Sequence, residues 1–98
     1  MAVVMIMELD GVTPEQYEEA RKVVNWEGDV PPGGLYHVAA FDGKKLHVTY
    51  TWENADDFQK FAQERLMPGV QKIGIKGEPE VEIYPAPVIF APGYTPRR

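Results

Sequence analysis

LHVTYTWENADDFQKFAQERLM, residues Leu46–Met67, decides the fold. Its first half alternates. Leu46, Val48, Tyr50 and Trp52 fall on one side of an extended chain and His47, Thr49 and Thr51 on the other, the period of a half-buried strand. After Glu53 the period changes. Ala55, Phe58, Phe61, Ala62 and Leu66 recur at helical spacing, which predicts an amphipathic helix. Asn54 is placed to cap it, and Asp57 favours the positive end of the helix dipole. A strand feeding a capped helix is the unit from which the other elements follow in both directions.

Upstream, Asp42-Gly43 is a hairpin signal, so Leu35–Phe41 and Lys45–Glu53 read as the second and third strands. Ala2–Leu9 is apolar, partly β-branched and too short for a helix, which predicts a buried strand. Asp10-Gly11 is a turn. Thr13 is an N-cap, Pro14 suits the first helical position, and Gln16 completes a capping box. The first helix should run to about Asn25 with Tyr17, Ala20, Val23 and Val24 as its apolar side. Trp26–Gly34, rich in Gly and Pro, is a loop. Downstream, Pro68-Gly69 should end or kink the second helix, and Val70–Ile75 should add a short turn. Glu78–Tyr84 alternates and is the fourth strand. Pro85–Pro96 carries four prolines and cannot be a central strand. It reads as an extended arm whose Val88-Ile89-Phe90 needs a surface to cover it.

The order β-α-β-β-α-β predicts an α+β fold: one four-stranded antiparallel sheet with two helices on one face, the ferredoxin-like arrangement. The chain makes one domain, residues 1–98, with 85–98 as the arm. Two helices cover one sheet face, and the other carries Tyr36, Val38 and Ala40 toward water. A homodimer, sheet against sheet, would cover it, with the arm strapping the partner.

Composition narrows the function. Net charge is −5 and the pI about 4.9, with scattered lysines and a short Pro96-Arg97-Arg98 tail, which argues against a nucleic-acid partner. There is no cysteine, so disulfides, thiolate metal sites and thiol nucleophiles are excluded. Val3–Met7 is too short for a membrane span and lacks the basic flank of a signal peptide. The expectation is a cytoplasmic protein with no membrane partner.

The strand-Trp-Glu-helix motif, Thr49-Tyr50-Thr51-Trp52-Glu53 followed by Asn54-Ala55-Asp56-Asp57-Phe58 and Phe61, resembles the dimeric α+β barrel superfamily. Within it the chain looks most like the antibiotic-biosynthesis monooxygenase branch. The helix end Glu64-Arg65-Leu66-Met67-Pro68 and the element order support this, so the resemblance covers most of the chain. It implies a dimeric barrel fold. It leaves function among cofactor-free monooxygenases, polyketide cyclases, haem-degrading enzymes, muconolactone-type isomerases and proteins with no known activity. Trp52 matches the position of a pocket-lining tryptophan. Several catalytic branches carry a histidine in or after the second helix, and Arg65–Ile75 has none. That departure counts against haem degradation and against the olivetolic acid cyclase type.

The hairpin points to a site. Whether its loop is two or four residues long, His37 shares a face with Leu46, Val48, Tyr50 and Trp52. That face is the apolar one, so it should meet the helices. His37 and Tyr50 should be direct or diagonal neighbours, within about 8 Å at Cβ. A histidine beside a phenol in an apolar cavity can act as general base, with Tyr50 stabilising the oxyanion and Trp52 shaping the ligand. The competing reading is a core histidine whose hydrogen bonds are satisfied. Tyr17 and Trp26 could close the pocket or simply pack. His47, on the opposite face, should make structural hydrogen bonds. With the two histidines pointing apart, no shared metal site is expected.

Two functional readings follow. One is a homodimeric enzyme that needs no cofactor or metal and acts on a flat aromatic or polyketide-like molecule. It would abstract a proton and then oxygenate or cyclise. The other is a non-catalytic module that binds a hydrophobic ligand or has a filled core; haem handling is a third. A ligand site should offer roughly 300 Å³ or more, and a structural core should offer none.

Overall fold

The computed structural model describes residues 1–75 and 78–93. Strands β1 (Val3–Asp10), β2 (Gly34–Phe41), β3 (Lys45–Trp52) and β4 (Glu80–Pro85) form one antiparallel sheet in the order β2-β3-β1-β4. Helix α1 (Pro14–Val24) crosses between β1 and β2. A second helical run, α2 (Ala55–Phe61) and α3 (Met67–Lys72), connects β3 to β4. This is the expected ferredoxin-like α+β fold. The far end of the arm, residues 94–98, including the Pro96-Arg97-Arg98 tail, lies outside the described residues.

Both helix starts follow from their caps. The Thr13 hydroxyl accepts from the Gln16 N–H, and the Gln16 side chain accepts from the Thr13 N–H, at 3.1 and 3.0 Å. The Asn54 side chain accepts from the Asp57 N–H at 2.8 Å. Asn25 ends α1 in the left-handed region, φ 59°, a conformation asparagine tolerates better than most residues.

Pro68 does not break the second helix as expected. The chain passes through Pro68-Gly69 in helical conformation, because residues 62–66 form a π-helical turn just before it. The Met67 N–H donates to the carbonyl of Ala62, five residues back. A proline lacks the N–H an α-helix needs and its ring crowds the carbonyl four residues back, and the widened turn absorbs both problems. Val23 is a second departure. It is 38% exposed, leaving Ala20 and Val24 as the fully buried apolar side of α1.

Gly69 lets α3 approach α1 closely. A Cβ there would lie 2.5 Å from Val24 Cγ2, a buried branched methyl with little freedom to retreat. Gly69→Ala should gain up to ~1 kcal/mol in helix propensity and lose about 1–3 kcal/mol to overpacking, so the loss wins. Thermal unfolding should shift down by about 4–8 °C for each net kcal/mol; an unchanged or higher Tm would show that the helices separate freely.

The core lies between the helices and one sheet face, where Met5, Leu46, Val48, Tyr50, Trp52, Phe58 and Phe61 are buried. The other face carries Val4 and Ile6 from β1, Val38 and Ala40 from β2 and Tyr84 from β4, with Val38 and Tyr84 more than two-fifths exposed. The arm leaves β4 with the Ala86 N–H donating to the Ala2 carbonyl at 2.8 Å, and then holds Val88, Ile89 and Phe90 open to solvent. Among the described residues no helix is long and apolar enough to cross a membrane.

Candidate functional site

The hairpin adopts the four-residue register. His37 pairs with Tyr50, Ala39 with Val48 and Phe41 with Leu46. The Asp42 carboxylate accepts from the N–H groups of Lys44 and Lys45 at 2.8 and 2.7 Å and pins the turn. His37 therefore faces the helices, as the strand parity requires. Its ring meets Tyr50 edge-on, with centroids 4.8 Å apart and planes at 79°.

The hydrogen bond of His37 goes to a different phenol. His37 Nε2 lies 2.9 Å from the hydroxyl of Tyr17, which α1 holds over the sheet. Trp26 completes the layer, its ring 5.3 Å from His37 and 5.9 Å from Tyr17. Tyr50 is a packing neighbour beneath, its hydroxyl turned toward Gly34, where a Cβ would stand 2.9 Å away. His37 Nδ1 is buried without a hydrogen-bond partner, as is Trp52 Nε1.

This layer separates two spaces. Inward, between sheet and helices, is an apolar cavity of about 50 Å³. Outward is an open cleft of about 280 Å³ lined by Tyr17, Arg21, Trp26, Glu27, His37 and Ala39. Tyr17, Trp26 and His37 line both. The ring-sized pocket expected between sheet and helices is thus not open, because the aromatic layer fills its outer half. The outer cleft approaches the size of a small-ligand site.

Trp52 departs from its expected place. It is fully buried and lines neither space. It packs on Tyr50, Phe58 and Phe61 at ring separations of 4.4, 5.7 and 5.4 Å, behind the site rather than in its wall.

Burial pushes the His37 imidazole below its usual 6.5, Glu27 partly opposes this, and Arg21 adds to it. The ring is therefore neutral at pH 7. Burial likewise raises the Tyr17 and Tyr50 phenols, which keep their protons. A neutral imidazole bonded to a protonated phenol can accept a proton at Nε2 while the phenol donates elsewhere.

Arg21 and Glu27 at the cleft mouth were not singled out in the sequence. Arg21 makes a bidentate pair with Glu27, at 2.6 and 2.9 Å, and binds Glu18 at 2.8 Å. The Glu18–Arg21 spacing was a readable signal; Glu27 meets Arg21 only because Asn25 turns the chain back. Arg65, noted only within a motif, clamps the same loop. Its Nη2 donates to the carbonyls of Val24, Asn25 and Asp29 at 2.9, 3.2 and 2.8 Å, satisfying groups that the end of α1 leaves open. Because Glu27 raises the His37 pKa and Arg21 lowers it, Glu27→Gln should drop that pKa further. An NMR titration of the imidazole would check this; a rise would contradict the charge assignment.

His47 sits on the opposite sheet face, as its position in the strand requires. Its Nε2 is 2.7 Å from the Asp42 carboxylate and its Nδ1 is 3.9 Å from Glu8. Among the described residues no three His, Asp or Glu side chains are grouped to hold a metal ion.

No family profile and no curated protein matches the sequence. Solved structures do match the fold. SnoaB, a cofactor-independent oxygenase from Streptomyces nogalater, superposes with a TM-score of 0.65 at 14% identity, covering 90% of this chain and 94% of that one. A putative antibiotic biosynthesis monooxygenase from Nitrosomonas europaea gives 0.68 at 11% identity, covering 88% and 90%. The de novo designed protein Foldit4 gives 0.63 at 13% identity, covering 88% and 99%. The chain therefore shares the fold of these structures, the ferredoxin-like α+β arrangement that the element order predicted. A designed protein shares it, and a fold by itself does not specify a function.

Proposed function

We propose that this chain is a cofactor-independent oxygenase for a flat phenolic or polyketide-like molecule, with His37 and Tyr17 as its catalytic residues. The observation that carries the reading is the 2.9 Å contact between His37 Nε2 and the Tyr17 hydroxyl at the floor of an open cleft walled by Trp26. The likeness of the fold to a cofactor-independent oxygenase supports it.

The ligand lies in the outer cleft with a ring stacked on Trp26. Its hydroxyl takes the place of Tyr17 as donor to His37 Nε2, and the neutral imidazole removes the proton. The released Tyr17 hydroxyl donates to the phenolate. The phenolate carries negative charge onto a ring or methylene carbon, which reacts with dioxygen to form a hydroperoxide. Loss of water leaves a carbonyl. A methylene and one dioxygen thus become a carbonyl and one water; the carbon is oxidised by four electrons and both oxygen atoms are accounted for. Tyr50 supports the His37 ring from below.

The active form is a homodimer, with Val4, Ile6 and Val38 buried against a second copy and Val88–Phe90 laid over it. An 11.1 kDa species in sedimentation would overturn the dimer.

The test pairs binding with oxygen uptake. Polycyclic phenols should quench Trp26 fluorescence saturably in wild type and Trp52→Phe, and should not do so in Trp26→Phe. Products formed under an ¹⁸O₂ atmosphere should carry the label, and none should form under argon. Ring-closed products under argon would replace oxygenation with cyclisation. The second reading, a non-catalytic module, is favoured by the small inner cavity, and binding without any turnover would establish it.

A further inference from the structure

We infer that the inner cavity is a dioxygen chamber, separate from the cleft that takes the organic substrate; the inference rests on the oxygenase reading. The cavity holds about 50 Å³, far below what a ring system needs. One water needs about 10–15 Å³, so the space takes a diatomic molecule with room to reorient. Its inner wall is apolar, with Met7, Leu9, Leu46, Val48, Leu66 and Val70 around it. A water there would need two or more polar partners, and the lining presents no polar surface to the space: the Tyr17 hydroxyl and His37 Nε2 bond each other, the Tyr50 hydroxyl turns away toward Gly34, and His37 Nδ1 is buried. Apolar cavities stay dry and take up apolar solutes such as xenon. Dioxygen is an apolar diatomic of that kind.

The position gives the cavity its use. Tyr17, Trp26 and His37 form one layer with the cavity on one side and the cleft on the other. Dioxygen held inside is one side chain away from a carbanion formed at His37. The layer is built of rings with centroids 5.3 to 6.4 Å apart, so small ring rotations admit a diatomic and exclude an aromatic substrate. Met7, with an unbranched and adaptable side chain, leaves the inner wall compliant.

Dioxygen is paramagnetic, so its location can be read directly by methyl NMR of the full chain under oxygen pressure. Methyl protons of Leu46, Val48 and Leu66 should relax several-fold faster than those of Val24, which is buried but lines neither space. Ala20→Val adds methyls into the cavity from α1 and should abolish the difference. Val48→Ile fills it from the sheet and serves where the first variant folds poorly. Both should raise KM for dioxygen several-fold and leave ligand quenching of Trp26 unchanged. Equal relaxation at Val24 and Val48, or an enhancement that survives both filled variants, overturns the chamber while cleft binding stands. Enhancement in a protein that consumes no dioxygen with any phenol it binds overturns the oxygenase reading beneath it.

Discussion

Trp52→Ala should cost about 3–5 kcal/mol, the range for emptying a buried tryptophan site. Trp52 has no exposed surface and touches three aromatic rings from two elements, one strand and one helix. Tyr50 lies beside it on β3, while Phe58 and Phe61 come down from α2. A domain of this size has a total stability of roughly 5–15 kcal/mol, so the variant stands near unfolding at room temperature. Its Tm should fall by about 12–40 °C at roughly 4–8 °C per kcal/mol. Trp52→Phe should behave differently. It keeps a ring in the cluster and removes Nε1, a buried donor without a partner, whose burial costs about 1–3 kcal/mol. The lost volume and the removed donor oppose each other, and the net change should be small. Ligand binding by Trp52→Phe should match wild type, because Trp52 lines neither space. A stable Trp52→Phe that no longer binds ligand would return Trp52 to the pocket wall that the family resemblance assigned it.

That case shows what the sequence could and could not tell. Alternation along Leu46–Trp52 placed Trp52 on the buried face, and both even-length hairpin loops placed His37 there too. Parity is a local property and survives uncertainty in loop length. What a side chain meets across the core is not local. Tyr17 reaches His37 because α1 lies over β2 at one particular height, and nothing in the spacing of either segment sets that height. The same holds for Trp52, which is covered by α2 and so withdrawn from the cleft. Pro68 shows a third kind of limit. Its missing N–H was readable, and the π-helical turn that accommodates it was not. The cap residues Thr13, Gln16, Asn54 and Asp57 were all legible, since each bonds a neighbour three residues away.

His37→Gln should lower kcat by about 10²–10⁴, the usual worth of a positioned general base. Glutamine keeps a polar group near Tyr17 but cannot take a proton at neutral pH, so the loss should fall on kcat with KM little changed. In the proposed mechanism the active form is neutral imidazole. Because burial lowers its pKa, activity should fall with acid only below pH 6.5 and be flat above it until other groups titrate. Stability carries the same sign. In the unfolded chain the imidazole titrates near 6.5, and in the fold it titrates lower. Between the two values the unfolded chain holds a proton that the fold lacks, so acidification favours unfolding. The penalty is absent well above pH 6.5, begins as pH falls through it, and is complete below the folded value. His37→Gln lacks this term, so its Tm relative to wild type should climb as pH drops from 7 toward 5. Asp42, whose carboxyl is held down by its hydrogen bonds on the opposite face, is common to both proteins, so its contribution cancels in the difference. A Tm difference that stays constant over that range would mean that His37 is not buried neutral. The base assignment would fall with it, since a ring already protonated in the cleft cannot accept the substrate proton.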